Sequence, residues 1–254
     1  MTKIVNYLLK KEFFKEEYLL KFFYIIIVLA IMISFFYNIQ TVQASDRKIS
    51  ILYFNNVAHE SDWDWLSKGL TDMLIDDLSQ VDVHVFSSYQ EIEDLYHKHD
   101  LFPISTEIDK PLLIQFSENL GAEVIFFGDF YLSSPSNLNL SLKKYEIQSG
   151  EITVFRDFIV GNTDIFNLKD KVILFILKEL NVELSIQDKD RLKKTPTTSL
   201  EALSNYYKCL DLMDKAIVEY EGIDYPSKKL WAEAIEYGER AVAADPKYAK
   251  LIIF

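Results

Sequence analysis

Cys209 is the only thiol in the chain, and four histidines are its only imidazoles. A single cysteine excludes an internal disulfide and any thiolate zinc cluster. Cys209 also falls in an amphipathic stretch, where it reads as a small buried hydrophobe rather than a nucleophile. Two clusters have the composition of half a metal site. His97-Lys98-His99-Asp100 offers two imidazoles and a carboxylate, but Lys98 would repel a cation and no further ligand is near in sequence; a solvated surface cluster is the plainer reading. His59, Glu60, Asp62 and Asp64 offer calcium-type oxygens, yet the glycine and distal glutamate of a calcium loop are missing. They read instead as the acidic start of a helix, favoured by its dipole. No two of the seven glycines are spaced to cradle a phosphate, and neither a Gly-x-Ser-x-Gly elbow nor a zinc-protease helix motif occurs. No catalytic, cofactor-binding or metal-binding residue is assigned. The expectation is a non-enzyme without a cofactor.

What remains is suited to recognition. Trp63 and Trp65 stand one residue apart, so one should pack inward while the other faces out as part of an aromatic patch. Near the carboxy terminus, Ala234, Gly238 and Ala241 recur at four- and three-residue steps after Trp231, a shallow strip that a neighbouring helix can approach closely. These six residues, Trp63, Trp65, Trp231, Ala234, Gly238 and Ala241, are the interaction candidates.

The charge balance narrows the partners. With 27 basic against 39 acidic residues the net charge is −12, so phosphate backbones repel the chain and nucleic acid is not expected. Residues 1–21 carry five lysines, and no charge follows between Lys21 and Asp46. Within that gap FFYIIIVLAIMISFFY, residues 22–37, has no polar face and is long enough for a membrane-spanning helix. Basic before and acidic after, it places residues 1–21 in the cytoplasm and the body outside. Residues 22–44 are therefore a transmembrane anchor, with membrane contact over 22–39, or a signal peptide cleaved after Val42-Gln43-Ala44. The expected location is the bacterial cytoplasmic membrane with a periplasmic body, or the periplasm after cleavage.

The body reads as a mixed α/β unit. Strands are expected at 48–54, 83–87 and 122–132, and a hairpin turning at Ser149-Gly150 leads from the alternating leucines 138, 140 and 142 into 152–160. Helices are expected at 61–80, at about 88–98 behind a Ser88/Glu91 capping box, at 111–120 ending on Gly121, and at 166–180. Helices packed on a mixed sheet follow from that order. The polar break 193–198 then precedes a helical hairpin, 199–219 and 227–244, stopped by Asp245-Pro246. Two domains are expected, 48–190 and 199–254, the first folding without the second.

These residues resemble the TolB amino-terminal-like domain family. Phe54-Asn55-Asn56 followed by Gly69-Leu70-Thr71-Asp72 matches its opening, Leu120-Gly121-Ala122, Val124 and Gly128 its later strand, and Gly150-Glu151 its closing hairpin. Ala234, Ala241, Asp245 and Pro246 are spaced as in the second helix of a tetratricopeptide repeat, with which that family commonly continues. Gly238 departs from that pattern where an aromatic is expected, and Cys209 where a glycine is usual. The resemblance implies a TolB-like α/β domain followed by a TPR-like hairpin. The function expected is a cell-envelope protein that binds other envelope proteins or itself. A small-molecule-sensing module of an envelope signalling system, or a fragment of a longer repeat protein, is the alternative.

Overall fold

The computed structural model describes residues 24, 27–29, 47–81, 85–99, 101, 108–134, 136–155, 157–194, 197–221 and 228–248. The chain divides into Met1–Ser45 and Asp46–Phe254. In the first unit Tyr24 and Ile27, Val28 and Leu29 are helical and exposed. The rest of the expected anchor and the cleavage motif lie outside the described residues, as do Leu251 to Phe254. No helix among the described residues is long and apolar enough to cross a membrane.

The second unit is built on one seven-stranded mixed sheet, ordered β3-β1-β4-β5-β6, with β2 also on β4 and β7 also on β5. Strands β1 (Lys48–Ile51), β2 (Asn55–Asn56), β3 (Val85–Phe86) and β4 (Val124–Ser134) pair in parallel, β1 lying between β3 and β4. Parallel neighbours need long crossovers, and the intervening helices supply them. β4 then pairs antiparallel with β5 (Asn137–Glu146) along nearly its whole length. At Gly128 an added Cβ would sit 2.1 Å from the Ser141 carbonyl oxygen, so only glycine fits between these two strands there. Beyond β5 the expected single strand 152–160 is two: β6 (Glu151–Val154) and β7 (Phe158–Gly161), pairing with opposite ends of β5. The turn into β6 has Gly150 at φ 65°, the left-handed region open to glycine.

Seven α-helices lie among the described residues: α1 (Trp65–Leu78), α2 (Tyr89–Lys98), α3 (Lys110–Leu120), α4 (Ile165–Glu179), α5 (Ile186–Leu192), α6 (Leu200–Glu221) and α7 (Lys228–Ala244). The Ser88/Glu91 capping box forms, and Gly121 ends α3 in the left-handed conformation. Ser61 to Trp63 make a 3-10 turn, so the α-helix opens later than the periodicity suggests. β2 and α5 had no counterpart in the sequence reading; two and seven residues are too short for a period to register.

α1 is buried on almost every side, Lys68, Thr71, Asp72 and Asp77 included. The sheet-facing side of an amphipathic helix explains Leu66, Leu70 and Leu74. The remainder is covered by α4, whose Lys169 pairs with Asp77 below the surface, and by α6. Ala202, Leu203, Tyr207, Ala241 and Tyr248 belong to the same hydrophobic core as the sheet. Gly69 makes the close packing possible: a Cβ there would meet Tyr207 Cδ2 at 2.9 Å and Trp65 Cε3 at 3.1 Å. The expectation that residues 48–190 fold without the hairpin therefore meets a core shared across the 193–198 break. Thr197 Oγ1 donates to Asp245 at 2.6 Å, tying the start of α6 to the end of α7.

Candidate functional site

α6 and α7 pack against one another and leave a groove of about 650 Å³ along their outer side. Met213 from α6 and Trp231, Ile235, Gly238 and Val242 from α7 line it. The α7 residues fall at steps of four, three and four, the repeat of one helix face. Ile235 is 60% and Val242 45% exposed. Ala234, buried, and Gly238 form a shallow floor. Gly238 faces Cys209, whose Sγ would lie 3.5 Å from an added Cβ. Burial pushes the Cys209 thiol above its ordinary range, which removes the thiolate a nucleophile needs. Glu239 is the single acid in the lining; it is exposed and makes no ion pair among the described residues. An apolar side chain laid over such a surface contributes about 1.5–3 kcal/mol when fully covered. The chemistry available here is adhesion.

A second concentration of functional groups is buried where α6 crosses α1 and α2. Lys68, 2% exposed, donates from Nζ to Glu93 Oε1 at 3.0 Å and also to the Asp214 carboxylate. The Tyr53 hydroxyl donates to the other Glu93 oxygen, and the Tyr207 hydroxyl to Asp72. His97 Nε2 lies 3.5 Å from Glu93. Burial holds the hydroxyls of Tyr53, Tyr89 and Tyr207 well above the ordinary phenol range, reinforced by the neighbouring carboxylates. Burial also works against ionised Glu93, but the Lys68 ammonium and the Tyr53 hydroxyl outweigh it and hold that carboxyl below its usual range. For Asp214 burial wins over Lys68, with the Glu93 charge adding to it, and its carboxyl is raised to about 6. One ligand atom each from Glu93, His97 and Asp214 falls within 4.8 Å of the others. The Lys68 ammonium already bonds both carboxylates and supplies the positive charge there. Substrate cannot reach Lys68 Nζ at 2% exposure. A buried ion pair of this kind holds elements in register, and removing one partner strands the other.

The structure distributes the six interaction candidates unevenly. Trp231, Ala234 and Gly238 line the groove together. Ala241 is fully buried in the common core and does not line it. Trp65 is 5% exposed, with Trp63 stacked on it at 6.3 Å between ring centroids and packed against the same core. Trp65 is the inward member of the pair and offers no surface to a partner, while Trp63 is half-buried. Ile235, Val242 and Met213 were missed. The signal is present as Trp231-x₃-Ile235-x₆-Val242 on one helical face, of which the spacing of the small residues picks out only the part beside Trp231. Of the His97 to Asp100 cluster, His97 stays exposed with Nε2 near Glu93, whereas His99 is half-buried against the Phe116 ring at 5.3 Å, which corrects the fully solvated reading for His99. Asp64 accepts from Asn56 Nδ2 at 2.8 Å.

No family model and no curated protein matches the chain. Solved structures similar to it include the LpoB C-terminal domain from Salmonella enterica, 16% identical, over 45% of this chain and 82% of that one at TM-score 0.35. TolB from Acinetobacter baumannii is 16% identical over 54% of this chain and 28% of its own, at TM-score 0.34. A PelC dodecamer from Paraburkholderia phytofirmans is 6% identical, over 56% of this chain and 92% of that one, at TM-score 0.35.

Proposed function

We propose that this chain is a non-enzymatic cell-envelope protein that holds its α/β body and helical pair outside the cytoplasm and docks an amphipathic helix of another protein. The apolar run at 22–39 with lysines before it supports the membrane attachment and the orientation. The observation that carries the docking reading is the open apolar face of α7, with Ile235 and Val242 exposed beside the Gly238 floor. Glu239 decides the occupant. An isologous pairing of two copies through this groove would set one Glu239 towards the other, whereas a basic residue on a partner helix would answer the charge. The net charge of −12 favours a basic partner in the same direction.

The test is a titration of the full chain, in detergent, with two labelled synthetic amphipathic peptides that share a Leu/Ala stripe. One carries lysines beside the stripe and the other glutamates. The lysine peptide should bind more tightly, Ile235→Glu should abolish binding without altering the thermal melt, and Glu239→Lys should invert the peptide preference. Equal binding of both peptides, or binding that survives Ile235→Glu, overturns the reading. So does a dimer in sedimentation that Ile235→Glu disperses, because the occupant is then a second copy.

A further inference from the structure

Among the described residues the cluster around Lys68 sets more carboxylates than ammonium groups together. From α1 come Lys68 and Asp72; from α2, Tyr89, Glu93 and His97; from the segment after β1, Tyr53; from α6, Tyr207 and Asp214. One ammonium thus faces two carboxylates directly, and a third carboxylate stands one turn away on α1. In a desolvated site the excess charge is relieved by taking up a proton. The two direct partners are not equivalent. Glu93 has the Lys68 ammonium and the Tyr53 hydroxyl on separate oxygens, whereas Asp214 shares Lys68 and lies against the Glu93 charge. Among the described residues Asp214 is also the only carboxylate of the cluster contributed by α6.

We propose that this cluster is an acid-tightened clasp: protonation of Asp214 in a mildly acidic medium strengthens the hold of α6 on α1 and α2, and with it the presentation of the helical pair. The direction follows from linkage. Folding raises the Asp214 carboxyl to about 6, so between the unfolded value and 6 the folded state binds more protons. The contribution is complete below the unfolded value and disappears as pH rises through 6. Glu93, held low, acts in the opposite sense, and only below its ordinary range near ~4.3. The window is therefore about pH 5 to 7, and across it the equilibrium constant for releasing α6 should change about tenfold.

Hydrogen exchange of α6 amides in the full chain, corrected for the intrinsic effect of pH, reads this directly, with α4 as internal reference. The release constant for α6 should fall about tenfold from pH 7.5 to pH 5 in the parent and in His97→Gln, and should be flat in Asp214→Asn. Three outcomes overturn the proposal: no change in the parent, a full change retained in Asp214→Asn, or its loss in His97→Gln. Should Asp214→Asn fail to fold, a carboxyl-carbon NMR titration of the parent decides, since an Asp214 midpoint below 5 refutes the clasp.

Discussion

Replacing Tyr207 by alanine removes the side chain that fits over Gly69 and donates its hydroxyl to Asp72, and so tests whether α6 belongs to the body. Tyr207 is completely buried. Truncating a buried aromatic to alanine costs about 3–5 kcal/mol. Asp72, 6% exposed, loses the Tyr207 hydroxyl in the same step, and losing a hydrogen bond to a charged group costs about 1.5–3 kcal/mol. Water entering the vacated space offsets part of this, so a net loss of about 4–6 kcal/mol is expected. For a unit of this size each kcal/mol lowers the melting temperature by about 2–4 °C. Thermal melts by circular dichroism should thus show Tyr207→Ala unfolding about 10–20 °C below the parent. Tyr207→Phe keeps the ring and isolates the hydroxyl, and should lose about 1.5–3 kcal/mol. By the same reasoning residues 48–190 on their own, lacking the cover over Trp65 and Gly69, should melt broadly and early. A Tyr207→Ala protein melting within about 3 °C of the parent would refute this account and return α6 to the status of an appended module.

Two further outcomes are expected. Gly128→Ala places a Cβ 2.1 Å from a backbone oxygen that cannot rotate away, so β4 and β5 must separate; a loss of at least about 3 kcal/mol or insoluble expression is expected, and a parent-like melt contradicts it. Protease added to spheroplasts should degrade the body, whereas protection until lysis would put residues 46–254 on the other side of the membrane from the one the lysine-rich flank implies.

The elements that report locally were legible. Ser88 and Glu91 announce α2, Gly121 stops α3 as expected, and the β-branched and aromatic run from Val124 ends up as the central strand. The groove was half legible, since Trp231, Ala234 and Gly238 were picked out and Ile235 and Val242 on the same face were not. The charge cluster was illegible for a physical reason. Lys68 and Asp72 occupy the side of α1 that amphipathic periodicity assigns to solvent, and they are covered by later helices, Lys68 by α2 and α6 and Asp72 by α6. Periodicity within one helix describes its inner face; it carries no information about whether a second layer lies on the outer one. The same limit hid from the sequence that residues on both sides of the 193–198 break share one core.

The far edge of the sheet bears on solubility. β6 and β7 both lie along β5, yet they meet its two ends and are separated by the segment around Phe155. Each is four residues long. An incoming chain seeking to extend the sheet would find two short templates with a break between them, never a continuous row of unpaired amides and carbonyls. Ile152, Val154 and Ile159 are exposed on these strands, and on one long flat strand they would invite edge-to-edge stacking into fibrils. Interrupting the ladder takes away the long template that such an edge would otherwise offer a second chain.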